Sequence, residues 1–369
     1  MSHTRTLSTV PMNDLSRGIA RDRTLLDSAV TSVLDSGYVI MGPHHNAFES
    51  ALAEYLGVAH VLGVASGTDA LEIAIKAVMP EGKSAVMTAG NAGGYTSTAA
   101  RRGGFQVKYA DIDPDSLCLS EQTVSDALTD DIGVVVITHL YGNLTNISTL
   151  VALCHDRRIR VVEDCAQAIG ARRVDGAAGT FGDIAATSFY PTKNLGAIGD
   201  GGAIATNDSE FARRVSQLRQ YGWVSKYRVA VGGGTNSRLD ELQAAFLMVR
   251  LPLLDAFNER RRTIVQRYFA SAADGPLHIL PANGPHHAAH LAVALSPRRT
   301  EIREQLLLKG VATDVHFPVP DHQQLGFGAV PQSLPYTETA SLEVFSLPCF
   351  PELTDEEVNL VCNAIRTLE

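Results

Sequence analysis

Short apolar segments alternate with amphipathic ones from residue 60 to residue 164, and this alternation constrains the fold more than any other feature of the chain. The amphipathic segments have the apolar spacing of helices. The apolar segments read as buried strands at 60–65, 85–87, 106–112, 133–138 and 160–164. Strands that alternate with helices predict a mostly parallel sheet covered by helices on both faces. We therefore expect an α/β fold.

The carboxyl ends of parallel strands meet at one edge of the sheet, where the active groups of such proteins lie. Three segments are expected at that edge: 139–142, 164–167 and the loop around Lys193. Lys193 stands in a glycine-rich, apolar stretch, and an apolar setting lowers the pKa of a lysine. Its amine is then a usable nucleophile for a carbonyl group. The alternative interpretation is an ordinary surface lysine in a loop.

A turn of small polar residues, 66–69, leads from the first predicted strand into a helix. Backbone N–H groups at such a helix start can face an anion. An ordinary N-cap formed by Ser66 or Thr68 is the alternative. Asp164 ends a predicted strand 29 residues before Lys193, and it can equally be part of a strand-end pair with Glu163 that caps a helix. Taken together, the lysine, the aspartate and the turn match the aldehyde, ring nitrogen and phosphate of pyridoxal phosphate.

Composition and missing motifs exclude several other classes. The net charge of −9 argues against nucleic-acid binding, which requires a basic surface. The five cysteines are scattered without a C-x-x-C pair, so we expect neither a disulfide framework nor a metal site. Neither a signal peptide nor a membrane-spanning run is recognisable, which predicts a cytoplasmic protein. The phosphate-binding loop is incomplete and no G-x-G-x-x-G motif follows the first strand, which leaves a nicotinamide oxidoreductase only as a fallback.

Two domains are expected from the length and from the change of pattern after residue 250. Residues 1–250 would form a large cofactor-binding domain and residues 251–369 a smaller α+β domain. The boundary falls in a long helix that opens at Asn236-Ser237-Arg238 and follows a glycine-bearing loop, 221–234. The smaller domain reads as strand 291–295, helix 299–309, strand 312–317, loop 318–335 and helix 355–367.

Several ordered motifs resemble those of the nucleotide-sugar aminotransferases, which are pyridoxal-phosphate enzymes of the aspartate-aminotransferase fold (fold type I). The resemblance covers nearly the whole chain. The motifs are Gly37-Tyr38, Ser66-Gly67-Thr68-Asp69-Ala70-Leu71, His139-Leu140-Tyr141-Gly142, Glu163-Asp164-Cys165-Ala166-Gln167-Ala168, Ser188-Phe189-Tyr190-Pro191-Thr192-Lys193-Asn194, Asn236-Ser237-Arg238-Leu239-Asp240 and His316-Phe317-Pro318-Val319-Pro320-Asp321-His322-Gln323.

The resemblance implies a role for each matching residue. Lys193 would hold the cofactor covalently and move the proton, and Asp164 would bind the ring nitrogen. Gln167 would contact the ring face or the 3′-oxygen. The phosphate would be held by Gly67, Thr68 and Ser188. Asn236 would reach the phosphate of the neighbouring subunit, which implies a homodimer with shared active sites.

Substrate contacts are implied in the same way. The nucleotide diphosphate would be contacted by Tyr221, Lys226, Tyr227 and Arg228. Arg238 would help position the carboxylate of the amino donor. His316 and His322 would lie near the sugar, with a structural role as the alternative for each. The chain departs from the family at Gly93, where an aromatic residue usually stacks on the ring, and Tyr95 is the expected substitute.

The expected reaction is transfer of an amino group from an amino acid, by resemblance L-glutamate, to the C3 or C4 keto group of a nucleotide-linked keto-deoxy sugar. The cofactor would alternate between pyridoxal and pyridoxamine phosphate, and the product would serve amino-sugar and antibiotic biosynthesis. The alternative substrate is a keto-cyclitol such as an inosose. A non-catalytic cofactor-binding or regulatory protein is the alternative from another class.

Overall fold

The computed structural model describes residues 9–273, 275–328 and 331–369. None of the helices in these ranges is both long enough and apolar enough to span a membrane. The helices are α1 Leu15–Ser36, α2 Pro43–Leu56, α3 Gly67–Val78, α4 Tyr95–Arg102, α5 Glu121–Ala127, α6 Ser148–Asp156, α7 Ser209–Leu218, α8 Glu241–Arg250, α9 Leu254–Ser271, α10 Arg299–Leu308, α11 Pro335–Glu343 and α12 Asp355–Arg366. The strands are β1 His60–Val64, β2 Ala85–Ala89, β3 Gln106–Ala110, β4 Ile132–Thr138, β5 Arg160–Asp164, β6 Arg172–Arg173, β7 Gly176–Ala177, β8 Ile184–Ser188, β9 Gly202–Thr206, β10 Trp223–Ser225, β11 Arg228–Val229, β12 His278–Ile279, β13 Ala292–Leu295 and β14 Val344–Leu347.

A seven-stranded sheet in the order β1-β9-β8-β5-β4-β2-β3 forms the centre of the molecule. The neighbours from β8 to β3 are parallel, whereas β9 is antiparallel to both β1 and β8. All seven residues of β4 are buried because helices cover both faces of the sheet. The predicted α/β fold with a mostly parallel sheet is confirmed.

Helix α3 begins beside the end of β8, and its start is fixed by local chemistry. Ser66 is extended and its side chain accepts the N–H of Asp69 at 3.1 Å, which caps the first turn. The helix then packs along the sheet through an apolar stripe that includes Leu71 and Ile75. Its first turn lies so close to β8 that a Cβ on Gly67 would be 2.6 Å from Cβ of Ser188.

A second, antiparallel sheet forms from the C-terminal third of the chain in the order β12-β13-β14. Its core is a separate apolar cluster that contains Tyr268 of α9, Phe345 of β14 and Val361 of α12. Val10 belongs to the same cluster, and its N–H donates to the carbonyl of Gly310 at 2.8 Å. The N-terminal segment thus packs on the C-terminal part of the chain.

Several element boundaries differ from those expected. The loop 221–234 contains the short hairpin β10–β11. The helix expected from Asn236 begins only at Glu241, because Asn236 and Asp240 are extended and pair with Gln220 and Ile40. Pro252 then sits in a 3₁₀ turn, Leu251–Leu253, between α8 and α9, because a proline cannot donate in a helix interior.

The expected strand 312–317 is reduced to a single bridge between Asp314 and Ser346. Helix α11 and strand β14 are additional to the expected elements, although β14 is fully buried. The expected loop 318–335 contains two 3₁₀ turns, Asp321–Gln323 and Leu325–Phe327, and residues 329–330 of it lie outside the described residues.

Candidate active site

A cavity of about 390 Å³ opens at the carboxyl ends of β4, β5 and β8, within the size range of small-molecule sites. The second sheet contributes to it as well, through residues next to β13 and the segment before the 3₁₀ turn at Asp321. The predicted site residues that line the cavity are Gly67, Thr68, Tyr95, Asp164, Gln167, Ser188, Lys193 and His316. The fold therefore brings together residues that are up to 249 positions apart in sequence.

Lys193 projects from a tight loop between β8 and β9. The loop closes on itself, since the N–H of Lys193 donates to the carbonyl of Tyr190 at 2.8 Å and Ala197 donates to Phe189 at 2.8 Å. Burial lowers the pKa of Lys193, and the nearby carboxylate of Asp164 opposes that change. The direction is the one that the sequence predicts for an amine in an apolar loop.

Asp164 ends strand β5 and is almost fully buried. Its carboxylate accepts the N–H of Ala166 at 3.1 Å and the hydroxyl of Thr138 at 3.3 Å. Burial raises the pKa of Asp164, while the Ala166 N–H and the charge of Lys193 lower it. These groups only partly offset the effect of burial on this carboxylate, so a cationic N–H group in the cavity would stabilise it further.

The neighbouring Glu163 points away from the cavity and has a structural role. It accepts N–H groups from Gly179, Phe181 and Gly182 at 2.7–2.9 Å, and it lies 2.8 Å from Nε2 of His139. Burial by itself would raise the pKa of Glu163, but His139 and these N–H groups lower it below its usual value. Of the predicted strand-end pair, Asp164 thus lines the cavity, whereas Glu163 is buried and holds the segment 179–182.

The first turn of α3 and the end of β8 form the polar wall of the cavity. Gly67, Thr68 and the hydroxyl of Ser188 lie together there. The positive end of the helix macrodipole and its free N–H groups favour an anion at this position. A side chain at residue 67 would collide with Ser188, so the first turn of α3 can lie this close to the end of β8 only with glycine there.

Tyr141 links this wall to the second sheet, and its function there could not be inferred from the sequence. Its N–H donates to Oε1 of Gln167 at 2.7 Å, and its hydroxyl donates to the carbonyl of His316 at 2.7 Å. Tyr141 is buried and has a φ of 62°, a conformation uncommon for residues with a side chain. The hydrogen bonds therefore fix Gln167 and His316 relative to each other.

An aromatic pair forms another part of the cavity wall, at the position where the sequence departs from the family. The rings of Tyr95 and Phe317 meet edge to face, with centroids 5.9 Å apart. A Cβ at Gly93 would lie 2.7 Å from the Phe317 ring, so that ring occupies the space next to residue 93. Asp321 holds this segment by accepting the N–H of Gly94 at 2.8 Å and the hydroxyl of Ser97 at 2.6 Å.

The remaining predicted residues do not line this cavity. Tyr221 and Tyr227 pack on Trp223 in the exposed hairpin β10–β11, together with Lys226 and Arg228. Asn236 is exposed and Arg238 is partly buried in the extended segment before α8. His322 is buried, 3.2 Å from the carboxylate of Glu338. These residues lie outside the site of their own chain.

His290 is a cavity residue that sequence reasoning missed. Its Nδ1 lies 2.8 Å from Oδ1 of Asn194, the residue next to Lys193. No motif surrounds it, because residues 288–294 are otherwise Ala, Leu and Val. His290 reaches the site only because the segment before β13 packs against the loop between β8 and β9 that carries Lys193.

Fold and site together define a class of enzyme. The class is an α/β protein that presents a lysine of lowered pKa, a buried carboxylate and a helix start to one cavity. This donor set fits pyridoxal phosphate, which needs an amine for its aldehyde, a carboxylate for its ring nitrogen and N–H groups for its phosphate.

Comparison with known proteins identifies the family. The model of the DegT/DnrJ/EryC1/StrS aminotransferase family matches residues 21–366, and the chain belongs to this family. A dTDP-3-amino-3,4,6-trideoxy-alpha-D-glucose transaminase from Micromonospora megalomicea subsp. nigra is 38% identical over 355 residues, which cover 94% of this chain and 95% of the relative. The predicted membership in the sugar aminotransferases, which depend on pyridoxal phosphate, is confirmed.

Solved structures agree with the sequence comparison. DesV from S. venezuelae is similar with a TM-score of 0.93 and 35% identity, covering 97% of this chain and 98% of DesV. NtdA from Bacillus subtilis, solved with the bound cofactor PMP, is similar with a TM-score of 0.91 and 29% identity, covering 99% of this chain and 86% of NtdA. The fold shared with these proteins is that of the aminotransferases.

Proposed function

We propose that this protein transfers the amino group of L-glutamate to the C3 keto group of a nucleotide-linked keto-deoxy sugar, with pyridoxal phosphate as its cofactor. The observation that carries the proposal is the single cavity lined by Lys193, Asp164 and the first turn of α3. The choice of C3 over C4 is supported by the 3-amino sugar in the name of the Micromonospora relative.

Pyridoxal phosphate, when bound, supplies an aldehyde for amines and a ring that withdraws electrons from the reacting carbon. Lys193 would hold the cofactor through Nζ. Its amine, when free, would take a proton from Cα of the amino donor and, in the second half-reaction, would deliver a proton to the sugar carbon. Burial lowers the pKa of Lys193, which favours the neutral amine that a base requires.

Asp164 has the position and burial of a counter-charge for the ring nitrogen. A buried carboxylate gains most from an adjacent N–H cation, which would bring its raised pKa down again. An opposite charge within about 4–6 Å shifts a pKa by about 1–3 units, or about 1.4–4 kcal/mol. Gln167 is held by Tyr141 and would contact the ring or its 3′-oxygen, and Tyr95 would cover the ring from the aromatic wall.

The cofactor phosphate would be held by Gly67, Thr68 and Ser188. His316 would face the sugar from the second sheet. We place the boundary between the two domains at the 3₁₀ turn Leu251–Leu253, where the two long helices α8 and α9 meet.

We further propose a homodimer in which each chain completes the site of the other. Support comes from the exposed segment 221–238, which carries aromatic and basic side chains but lies outside the cavity of its own chain. Asn236 would reach the phosphate in the partner's site. Arg238 would position the carboxylate of the donor. The nucleotide diphosphate would be bound by Tyr221, Lys226, Tyr227 and Arg228, and His322 would support the sugar-side wall.

Substitution of Lys193 by alanine tests the proposal. We expect Lys193→Ala to retain no covalently bound cofactor after borohydride reduction, as measured by mass spectrometry, and to form no amino sugar from glutamate and a panel of dTDP- and UDP-linked keto sugars. Lys309→Ala, which changes a lysine far from the cavity, serves as the matched control and should behave as the wild type. A Lys193→Ala protein with normal turnover would disprove the proposal. Product from an inosose alone, with every sugar inactive, would favour the cyclitol alternative.

A further inference from the structure

His290 lies beside Lys193 at the cavity, and its environment determines which ring nitrogen carries the proton. His290 is 8% exposed. Its backbone is held on both sides, since the N–H donates to the carbonyl of Tyr141 at 3.0 Å and the carbonyl accepts Nη1 of Arg261 at 3.2 Å. The ring therefore has a defined position between the second sheet and the lysine loop.

A chain of amides fixes the orientation of Asn194, the partner of His290. Nδ2 of Asn258 donates to the carbonyl of Ile169 at 3.0 Å, which leaves Oδ1 of Asn258 as an acceptor. Nδ2 of Asn194 donates to that oxygen at 2.7 Å and to the carbonyl of Ala288 at 2.8 Å. Both hydrogens of the Asn194 amide are used, so Oδ1 of Asn194 is the atom that faces His290.

Oδ1 of Asn194 can only accept, so Nδ1 of His290 must be the donor across their 2.8 Å contact. Burial lowers the pKa of His290 well below its usual value, and the charge of Lys193 acts in the same direction. The ring is thus neutral, with its proton on Nδ1 and a lone pair on Nε2. Among the described residues, Nε2 has no hydrogen-bond partner, although His290 lines the cavity.

We propose that His290 is a specificity-determining residue whose Nε2 accepts a hydrogen bond from a hydroxyl group of the sugar substrate beside Lys193. This inference rests on the proposed function, because it takes the sugar as the ligand of the cavity. A neutral acceptor suits a hydroxyl, which donates. It does not suit the carboxylate of the amino donor, which can only accept. His290 therefore contributes to the sugar half-reaction and not to the glutamate half-reaction.

His287 offers a matched control. It is buried and close in sequence, but its Nδ1 accepts the N–H of Ala289 at 2.9 Å, so its proton is on Nε2. It does not line the cavity that holds Lys193. Substitution by asparagine keeps a polar atom near the position of Nδ1 and removes Nε2. At residue 290 the asparagine amide can still donate to Asn194, and at residue 287 its oxygen can still accept from Ala289.

The first measurement is the tautomer itself. Long-range ¹H–¹⁵N correlation spectra of the protein labelled with ¹⁵N-histidine should show one neutral ring with the proton on Nδ1 that disappears in His290→Asn. The ring that disappears in His287→Asn should show the opposite tautomer. A proton on Nε2 of His290, or a charged ring at neutral pH, would overturn the proposal without affecting the proposed function.

The second measurement compares the dissociation constants of dTDP-glucose and dTDP, and of UDP-glucose and UDP, by calorimetry. For whichever of the two pairs the wild type binds, His290→Asn should raise the dissociation constant of the sugar nucleotide about tenfold, as expected for one lost hydrogen bond. The dissociation constant of the nucleoside diphosphate should not change. His287→Asn should change neither. Conversion of the lysine-bound cofactor by glutamate alone, followed by absorbance, should stay within about twofold of the wild type in both variants.

Two outcomes would separate the hypotheses. If His290→Asn loses the same affinity for dTDP-glucose as for dTDP, or slows the glutamate half-reaction as much as the sugar half-reaction, His290 acts through Lys193 or through the fold. Either result would overturn its role as a hydrogen-bond acceptor for the sugar. A wild type that binds neither nucleotide pair and reacts with no keto sugar would refute the proposed function, and the inference with it.

Discussion

Replacement of Gly93 by alanine tests how the aromatic wall of the cavity is built. Gly93 has a φ of 76°, and a Cβ there would lie 2.7–2.9 Å from three atoms of the Phe317 ring. Two costs follow. The left-handed conformation costs a residue with a side chain about 1–2 kcal/mol, and forced contact with a packed ring costs about 1–3 kcal/mol. We expect Gly93→Ala to lower the free energy of unfolding by about 2–5 kcal/mol.

The adjacent Gly94 separates these two costs. It has a φ of 80°, but a Cβ there would meet only Phe327, at 3.5 Å, which is an ordinary contact. Gly94→Ala should therefore cost only the conformational part, about 1–2 kcal/mol. Both variants change the entropy of the unfolded chain equally, so this effect cancels in their difference. Urea denaturation followed by circular dichroism measures both values.

A double-mutant cycle with Phe317→Leu identifies the clashing group. Leucine lacks the Cε2 and Cζ atoms that lie 2.7 and 2.8 Å from the position that a Cβ on residue 93 would occupy. In this background Gly93→Ala should recover about 1–2 kcal/mol, whereas the cost of Gly94→Ala should not change. Equal costs for the two alanine variants in both backgrounds would refute the reasoning, because Phe317 would then not lie against residue 93.

Two further buried carboxylates, Asp321 and Glu241, give testable predictions. Burial raises the pKa of Asp321 to about 6 from 3.8, so the folded state binds this proton more tightly than the unfolded state does. The stabilisation that this proton provides is lost as the pH rises through 6. In urea titrations, the free energy of unfolding of the wild type, relative to that of Asp321→Asn, should therefore fall by about 1.4 kcal/mol between about pH 5 and about pH 7.5. A pH-independent difference would contradict this assignment. Glu241 is buried and caps the start of α2 by accepting the N–H groups of Gly42, His44 and His45 at 2.5–3.2 Å. Glu241→Ala should lower the free energy of unfolding by about 3 kcal/mol and Glu241→Gln by about 1 kcal/mol, as urea titrations would show. Equal effects of the two variants would exclude this capping role.

The side of the cavity that carries Asp164 and Lys193 could be located from the sequence, because these residues follow strands. Asp164 directly ends β5, and Ser188 ends β8, so the position of a strand end in an α/β sheet also gives the position of the side chain. Lys193 stands five residues after β8 in a loop whose composition indicates low polarity. Local pattern and the rule for parallel sheets are sufficient to expect Asp164 and Lys193 at one edge of the sheet, whereas the role of Ser188 follows only from the resemblance to the family.

The opposite side of the site could not be predicted in the same way. His290 and Phe317 reach the cavity only because the second sheet packs against the first, and no local pattern encodes that packing. The hairpin β10–β11 reads as a loop in the sequence, since its strands are only two and three residues long and largely exposed. Strand β14 is not evident from the sequence because it follows α11 directly, without the turn residues that mark strand boundaries.

The cavity is lined by residues from two parts of the chain. Asp164 ends a strand of the seven-stranded sheet and Lys193 lies in the loop between two of its strands, whereas His290, His316 and Phe317 come from the C-terminal part of the chain. The two groups are joined by a few polar contacts, such as the Tyr141 hydroxyl on the carbonyl of His316. The contacts to Tyr141 use backbone atoms of the second group, the carbonyl of His316 and the N–H of His290, so the side chain of His316 can be exchanged while these contacts are kept. The side chain of His290, in contrast, also contacts Asn194. Under the proposed function, substrate preference would then change through residues such as His316, without a change in Lys193 or Asp164.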